Sequence, residues 1–168
     1  MASDVKISDA LANKLLEAFS LKELLDGGFI SVYGGTVPAT ADTALNLAVG
    51  TGVHTRLVQI TAPAGAGLTL LSPAAGRAIT KTSAVWSGIN TFVGKITGAG
   101  TENATFFRWH PAADVDGGAG GSGVGGSTDY RIQGLVSTSG ADLNLTSISI
   151  TDNGSATTGV SVFEIRVP

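Results

Sequence analysis

Residues 127–168 read STDYRIQGLVSTSGADLNLTSISITDNGSATTGVSVFEIRVP. Apolar side chains return at every second position in short bursts: Leu143 and Leu145, Ile148 and Ile150, then Phe163, Ile165 and Val167. Successive side chains of an extended chain point to opposite faces, so a period of two puts each burst on one face of a strand. Turn formers separate the bursts, Asp152-Asn153-Gly154 most plainly. That is the pattern of antiparallel strands with one buried face. The parity of the apolar positions shifts between Leu145 and Ile148, which places a bulge or bend at Ser147.

The same pattern recurs upstream. FISVY at 29–33 is β-branched and aromatic with few polar interruptions, as in a strand buried on both faces. A loop runs from Gly34 to Asp42, with Pro38 restricting its backbone. Leu45, Leu47 and Val49 alternate, and residues 55–61 (TRLVQIT) form another strand, closed by Pro63 and glycines. Residues 67–71 follow. The stretch 78–97 holds Ile79, Val85, Trp86, Ile89, Phe92, Val93 and Ile96, which predicts two strands with a bend near Gly88. Residues 104–110 (ATFFRWH) put Phe107 and Trp109 on one face and Phe106 and Arg108 on the other. The low-complexity run DGGAGGSGVGGS at 116–127 is expected as a hairpin tip joining strand 104–110 to strand 129–136.

One helix is expected, near the N-terminus. Ser8 is placed to cap it, with Asp9 favouring its positive end. Leu11, Leu15 and Phe19 fall four apart, with Ala12 and Leu16 beside them, in one apolar stripe. Ser20 followed by Glu23 fits a capping box, so the helix breaks and restarts there. Leu21, Leu24 and Leu25 continue the apolar face, and Gly27 and Gly28 stop it. The expected fold is therefore mainly β: an antiparallel β-sandwich, jelly-roll-like, with one N-terminal α-helix and eight or nine strands. Residues 1–28 form the arm and amphipathic helix, and residues 29–168 the sandwich domain with its Gly-rich loop 116–127.

Composition narrows the function. The 168 residues suit one domain. Charged residues make up 14%, against about 25% in an ordinary globular protein, and the 24 glycines are about twice the usual share. Low charge with many small residues suits a β-protein that hides surface in an assembly. Net charge is −3 and the ten basic residues are scattered, so no phosphate-neutralising patch forms and no nucleic acid partner is expected. With no cysteine, disulfides, thiolate metal sites and cysteine nucleophiles are excluded together. No apolar run approaches the roughly 20 residues that span a membrane. The start, MASDVKISDALANKLL, carries acidic residues early and lacks a long apolar core, so the expectation is a protein kept in the cytoplasm unless a particle carries it out.

Candidate chemical sites fare poorly. G-x-G-x-x-G occurs twice, at Gly118, Gly120, Gly123 and at Gly121, Gly123, Gly126, but a dinucleotide site needs a helix after it, and Tyr130 to Val136 reads as a strand. His54 and His110 are the only histidines, and no G-x-S-x-G elbow marks an activated serine. His110 is expected at a strand edge on the surface. Asp114, Asp116 and Asp129 flank the glycine tract and offer oxygen ligands for Ca²⁺, but Gly118 stands where an EF-hand requires a ligand, so solvated loop acids are expected. Trp86, Trp109, Phe106, Phe107 and Tyr130 suit core packing better than a sugar-stacking platform. The sequons at Asn103, Asn144 and Asn153 carry little weight without a secretory route. No cofactor, metal or small-molecule ligand is expected.

Two stretches carry a resemblance. One is DGGFISVYGGTVPATADTAL at 26–45, after the helix. The other is ATFFRWH at 104–110, followed by QGLVSTSGADLNLTSISI and a final SVFEIRVP. The arrangement resembles small virion structural proteins of tailed bacteriophages. Shared are the helix, the loop with Gly35, Pro38, Ala39, Thr40, Ala41 and Asp42, and the turn and strand from Ser139 to Leu145. Residues 50–100 are longer than the resemblance leads one to expect, and the glycine tract is an insertion. The resemblance implies a non-enzymatic particle component. The first expectation is a capsid decoration or cement protein that binds the major capsid protein and works as a homo-oligomer, a trimer by preference. The alternative is a tail or adsorption component that binds host glycans. The candidate partner-binding residues are Leu11, Leu15 and Phe19 on the helix stripe and Pro38 and Asp42 in the loop.

Overall fold

The structure is a computed structural model that describes residues 5–17, 20–62, 65–71, 78–81, 85–86, 92–96, 100–112, 114, 122–123, 130–152 and 164–166. It is mainly β, with an antiparallel main sheet and two short helices. The strands are β1 (Lys6–Ile7), β2 (Phe29–Gly35), β3 (Leu45–Asn46), β4 (His54–Thr61), β5 (Leu70–Leu71), β6 (Ala78–Lys81), β7 (Val85–Trp86), β8 (Val93–Gly94), β9 (Thr101–His110), β10 (Ser122–Gly123), β11 (Ile132–Ser137), β12 (Leu143–Asn144), β13 (Ser149–Thr151) and β14 (Glu164–Arg166). The helices are α1 (Asp9–Leu16) and α2 (Leu21–Leu25).

The helical segment breaks where the capping residues predict. Ser8 Oγ accepts from the Leu11 backbone N–H and caps α1. Ser20 and Glu23 form a reciprocal capping box at α2. The Ser20 backbone N–H, and then its hydroxyl, hold the Glu23 carboxyl below its ordinary range. Gly27 takes φ +75°, the left-handed conformation that ends a helix, and its N–H donates to the Leu68 carbonyl.

The main sheet runs β1-β11-β9-β2-β4-β7, with β12 against β11, β13 against β9 and β8 against β4. The long strands β2, β4, β9 and β11 lie at its centre. Two smaller sheets are β10-β3 and β14-β6-β5. FISVY lies in a central strand covered on both faces, as its composition predicts. The hairpin expected between strand 104–110 and the strand beginning near 130 is present as the antiparallel pair β9 and β11. Most of its tip, 116–127, lies outside the described residues, but Ser122 and Gly123 pair with Asn46 and Leu45. Of the region 78–97, where two strands are expected, the described residues form three short ones, and the bend near Gly88 lies outside the described residues. Val49 leaves the alternation of Leu45 and Leu47 and is exposed. Phe163, Val167 and the Asn153-Gly154 turn lie outside the described residues.

The bend at Ser147 is real. Leu143 and Leu145 attach to β11, whereas Ser149 to Thr151 pair with β9. Between them the Ser147 hydroxyl accepts from the Ser149 N–H. One pairing is parallel: β12 runs alongside β11 after a loop of only a few residues. The loop builds itself. Gly140 takes φ +71°, the Asn144 amide exchanges hydrogen bonds with the Ala141 backbone, and the Asp142 carboxylate accepts from the Leu135 N–H.

The register separates the two faces of the sheet. Ile30 lies opposite Trp109 and Ile60, and Val32 opposite Phe107 and Val58. These residues join Ile132 and Val136 in one apolar core with Leu11 of α1, Leu25 of α2, Leu68, Phe92, Leu143, Leu145 and Ile150. The helices thus belong to the domain's own core, and Leu11 and Leu25 have no exposed surface. Gly134 makes room for the Phe107 ring: a Cβ there would lie 2.6 Å from it.

Candidate functional site

The opposite face of the sheet carries Ser31, Tyr33, Phe106, Arg108, His110 and Gln133. Ser31 pairs with Arg108, and Arg108 with Gln133, so polar side chains stand in a row across β2, β9 and β11. All three are buried. They are covered by the loop of residues 36–44.

The sheet grips that loop by its carbonyls. Arg108 Nη2 donates to the Thr43 carbonyl at 2.7 Å and to that of Thr40 at 3.4 Å. Arg108 Nε donates to Gln133 Oε1 at 3.0 Å, and Gln133 Nε2 donates to the Pro38 carbonyl at 2.9 Å. Arg131, just before β11, reaches the Ala41 carbonyl at 3.5 Å. Its guanidinium also forms a two-pronged ion pair with Asp114, at 2.6 and 2.8 Å, with both side chains almost wholly buried. Fork-shaped donors suit this task, because each guanidinium holds several acceptors in fixed directions.

The loop in turn holds the N-terminal helix. Both Asp42 carboxylate oxygens accept from the Asp9 backbone N–H, at 3.1 and 3.0 Å, where the helix end favours negative charge. Ser8, fully buried, accepts from the Arg131 N–H while capping α1. Helix, loop and β11 are therefore one hydrogen-bonded unit.

A second cluster closes the far end of the loop. Tyr33 stacks on Phe106 with centroids 5.0 Å apart and planes at 13°, and Leu45, Leu47 and Val37 pack around them. The His54 ring meets the Phe106 ring edge-on at 5.8 Å. Thr105 fills the irregularity in the β2–β9 pairing, its hydroxyl donating to the Gly35 carbonyl.

Several expectations change here. Asp114 is not a solvated loop acid but a buried partner of Arg131, because the chain after β9 folds back against the sheet. Asp116 and Asp129 lie outside the described residues. His110 is not at the surface: β9 is central, and His110 is buried with Nδ1 on the Pro111 carbonyl and Nε2 on the Ser31 hydroxyl, 2.9 Å away. Phe106, Phe107 and Trp109 are buried, and Tyr130 packs half-buried against the core. The side chain of Trp86 lies outside the described residues. Among the described residues no three His, Cys, Asp or Glu side chains gather as a metal site, and no helix is long and apolar enough to cross a membrane.

The candidate partner-binding residues separate. Leu11 is fully buried in the core, and Leu15 is partly buried against it. Phe19 lies outside the described residues. Pro38 is buried, and Asp42, half-buried, caps α1. The structure brings the Pro38–Asp42 loop and the start of the helix together. Among the described residues the exposed large apolar groups are others: Leu16 at 87% exposure, Val49, Val5, Val53 and Ile7. The gripping residues Arg108, Arg131 and Gln133 were not singled out from sequence. The available signal was a charged side chain inside the aromatic strand FFRWH.

Comparison with known proteins finds no matching family model, no matching curated protein and no matching solved structure.

Proposed function

We propose that this chain is a non-enzymatic virion structural protein of a tailed bacteriophage: a capsid decoration, or cement, protein that binds the major capsid protein lattice and stabilises it. The observation that carries the reading is a convergence. Two of the segments shared in the resemblance, the loop from Gly35 to Asp42 and the turn and strand from Ser139 to Leu145, attach to the same strand, β11. Gln133 holds the first through the Pro38 carbonyl, and the Leu135 N–H holds the second through Asp142. Segments far apart in sequence are thus anchored to one strand, the first on the polar face of the sheet and the second on the apolar face.

In this reading the chain acts as a homo-oligomer, with a trimer favoured, in the assembled virion. Linked protomers gain avidity on a repeating lattice. A stable contact on that lattice removes about 1,600 Å² from water, and low surface charge lowers the cost of doing so. The small β14-β6-β5 sheet is read as part of the second layer of a jelly-roll-like sandwich.

Quantitative protein analysis of purified virions tests the proposal. Hundreds of copies per particle are expected. A handful of copies per particle would move the chain to the tail or adsorption apparatus.

A further inference from the structure

His54 opens β4 and is buried, at 6% exposure. Its Nδ1 lies 3.0 Å from the Asn46 backbone nitrogen, and its Nε2 lies 3.0 Å from the Thr36 carbonyl oxygen. A backbone N–H only donates and a carbonyl only accepts. The ring is therefore the neutral tautomer, with its proton on Nε2 and a lone pair on Nδ1. These two bonds join the beginning of the covering loop, at Thr36, to its end, at Asn46.

We propose that His54 is a pH-responsive clasp, which closes loop 36–46 when neutral and releases it when protonated. A second proton would sit on Nδ1 and point at the Asn46 N–H, setting donor against donor in a buried place. The bond must then break. The ring has little room to turn away, because Phe106 lies across it. The charged and titratable groups on the surrounding elements are Arg56 on its own strand, Tyr33 on β2, Asp42 in the loop, Lys95 after β8, and Glu102, Arg108 and His110 on β9. The Asn46 N–H occupies the position that a proton on Nδ1 would take.

His110 differs in kind. Its Nδ1 faces the Pro111 carbonyl and its Nε2 faces a hydroxyl, Ser31 Oγ, which can rotate to accept. A second proton on His110 keeps both bonds. The two histidines therefore respond differently to acid although both are buried.

The sign follows from which form is bonded. The closed loop binds the neutral ring, so closure is favoured as the pH rises and opposed as the pH falls. Release uncovers the Tyr33–Phe106 stack, which Val37 and Leu45 cover in the closed form. The clasp thus couples acidity to exposure of an apolar surface. It does not depend on the particle reading.

The test is amide hydrogen exchange of the full chain at pH 8 and pH 5, corrected for the base-catalysed intrinsic rate, together with nitrogen NMR of the ring. At pH 8 the ring should show the Nε2–H tautomer. At pH 5 the Asn46 amide should exchange about tenfold faster than at pH 8, with a midpoint matching the titration of the His54 ring. His54→Asn places a non-titrating oxygen near Nδ1 and should abolish the acid response, whereas His110→Asn should retain it. Equal protection of residues 36–46 at both pH values in the wild type, or an undiminished acid response in His54→Asn, overturns the clasp. Should His54→Asn fail to fold, the wild-type comparison of ring titration with Asn46 exchange still decides: midpoints that differ overturn it.

Discussion

On the face of the main sheet that carries Val32, Phe107 and Trp109, the neighbours are helices and apolar loops. On the face that carries Ser31, Arg108 and Gln133, the neighbours are the backbone carbonyls of a single loop. Both faces are buried, yet they do different work. Apolar contact is non-directional, so the first face supplies driving force and accepts residues of similar volume. Hydrogen bonds are directional, and a buried donor that loses its partner is costly, so the second face selects one path for the loop. The apolar face stabilises the domain. The polar face decides what surface the domain presents.

Asp114→Ala should have the largest effect of any single change on the polar face. It takes the carboxylate from a buried guanidinium and should cost about 3–5 kcal/mol in urea unfolding. A loss under 1 kcal/mol would mean that the ion pair does not organise this face. Leu11→Ala tests the apolar face and should cost about 3 kcal/mol by the same measurement, with a cavity left beneath α1. If it proved neutral, the helix would be a detachable arm rather than part of the core.

Two adjacent residues of β11 set the faces against each other directly. Gln133→Leu keeps volume but withdraws the partner of both Arg108 Nε and the Pro38 carbonyl, and should cost about 2 kcal/mol. Ile132→Leu, on the apolar face, should cost about 1 kcal/mol or less. Equal losses would erase the distinction drawn above. The smallest effect is expected at Leu16, 87% exposed at the end of α1. Leu16→Ser should change stability by less than about 0.5 kcal/mol. If this residue meets the capsid lattice, binding of the purified chain to undecorated capsids should weaken while the unfolding midpoint stays in place.

Local features were legible in the sequence because their causes are local. Ser8 caps Leu11, and Ser20 and Glu23 cap each other, across three residues. The alternation in ATFFRWH gave the correct faces for Phe106 and Phe107, and the parity shift located the bend at Ser147. Burial of Asp114 and His110 was not legible. Asp114 looks like any loop acid beside glycines until β11 brings Arg131 against it. His110 looks like a strand end until β9 is seen to lie between β2 and β11. The parallel placement of β12 was equally hidden, because alternation reports a strand's faces and not its neighbour.

The sequence by itself determined a mainly β chain, two capped helical turns, the strand faces and the absence of cysteine chemistry. These rest on side-chain period and on hydrogen bonds within a few residues. Only the tertiary structure decided that the loop after β2 is held by its carbonyls, that Asp42 caps α1, and that His54 ties Thr36 to Asn46. The contacts of the loop carbonyls and of Asp42 join groups 33, 65 and 95 positions apart, as in Asp9 with Asp42, Arg108 with Thr43 and Gln133 with Pro38, and those of His54 reach 8 and 18 positions. A backbone carbonyl carries no side-chain signature, so no pattern of residues announces which arginine it will meet. Strand order alone brings them together.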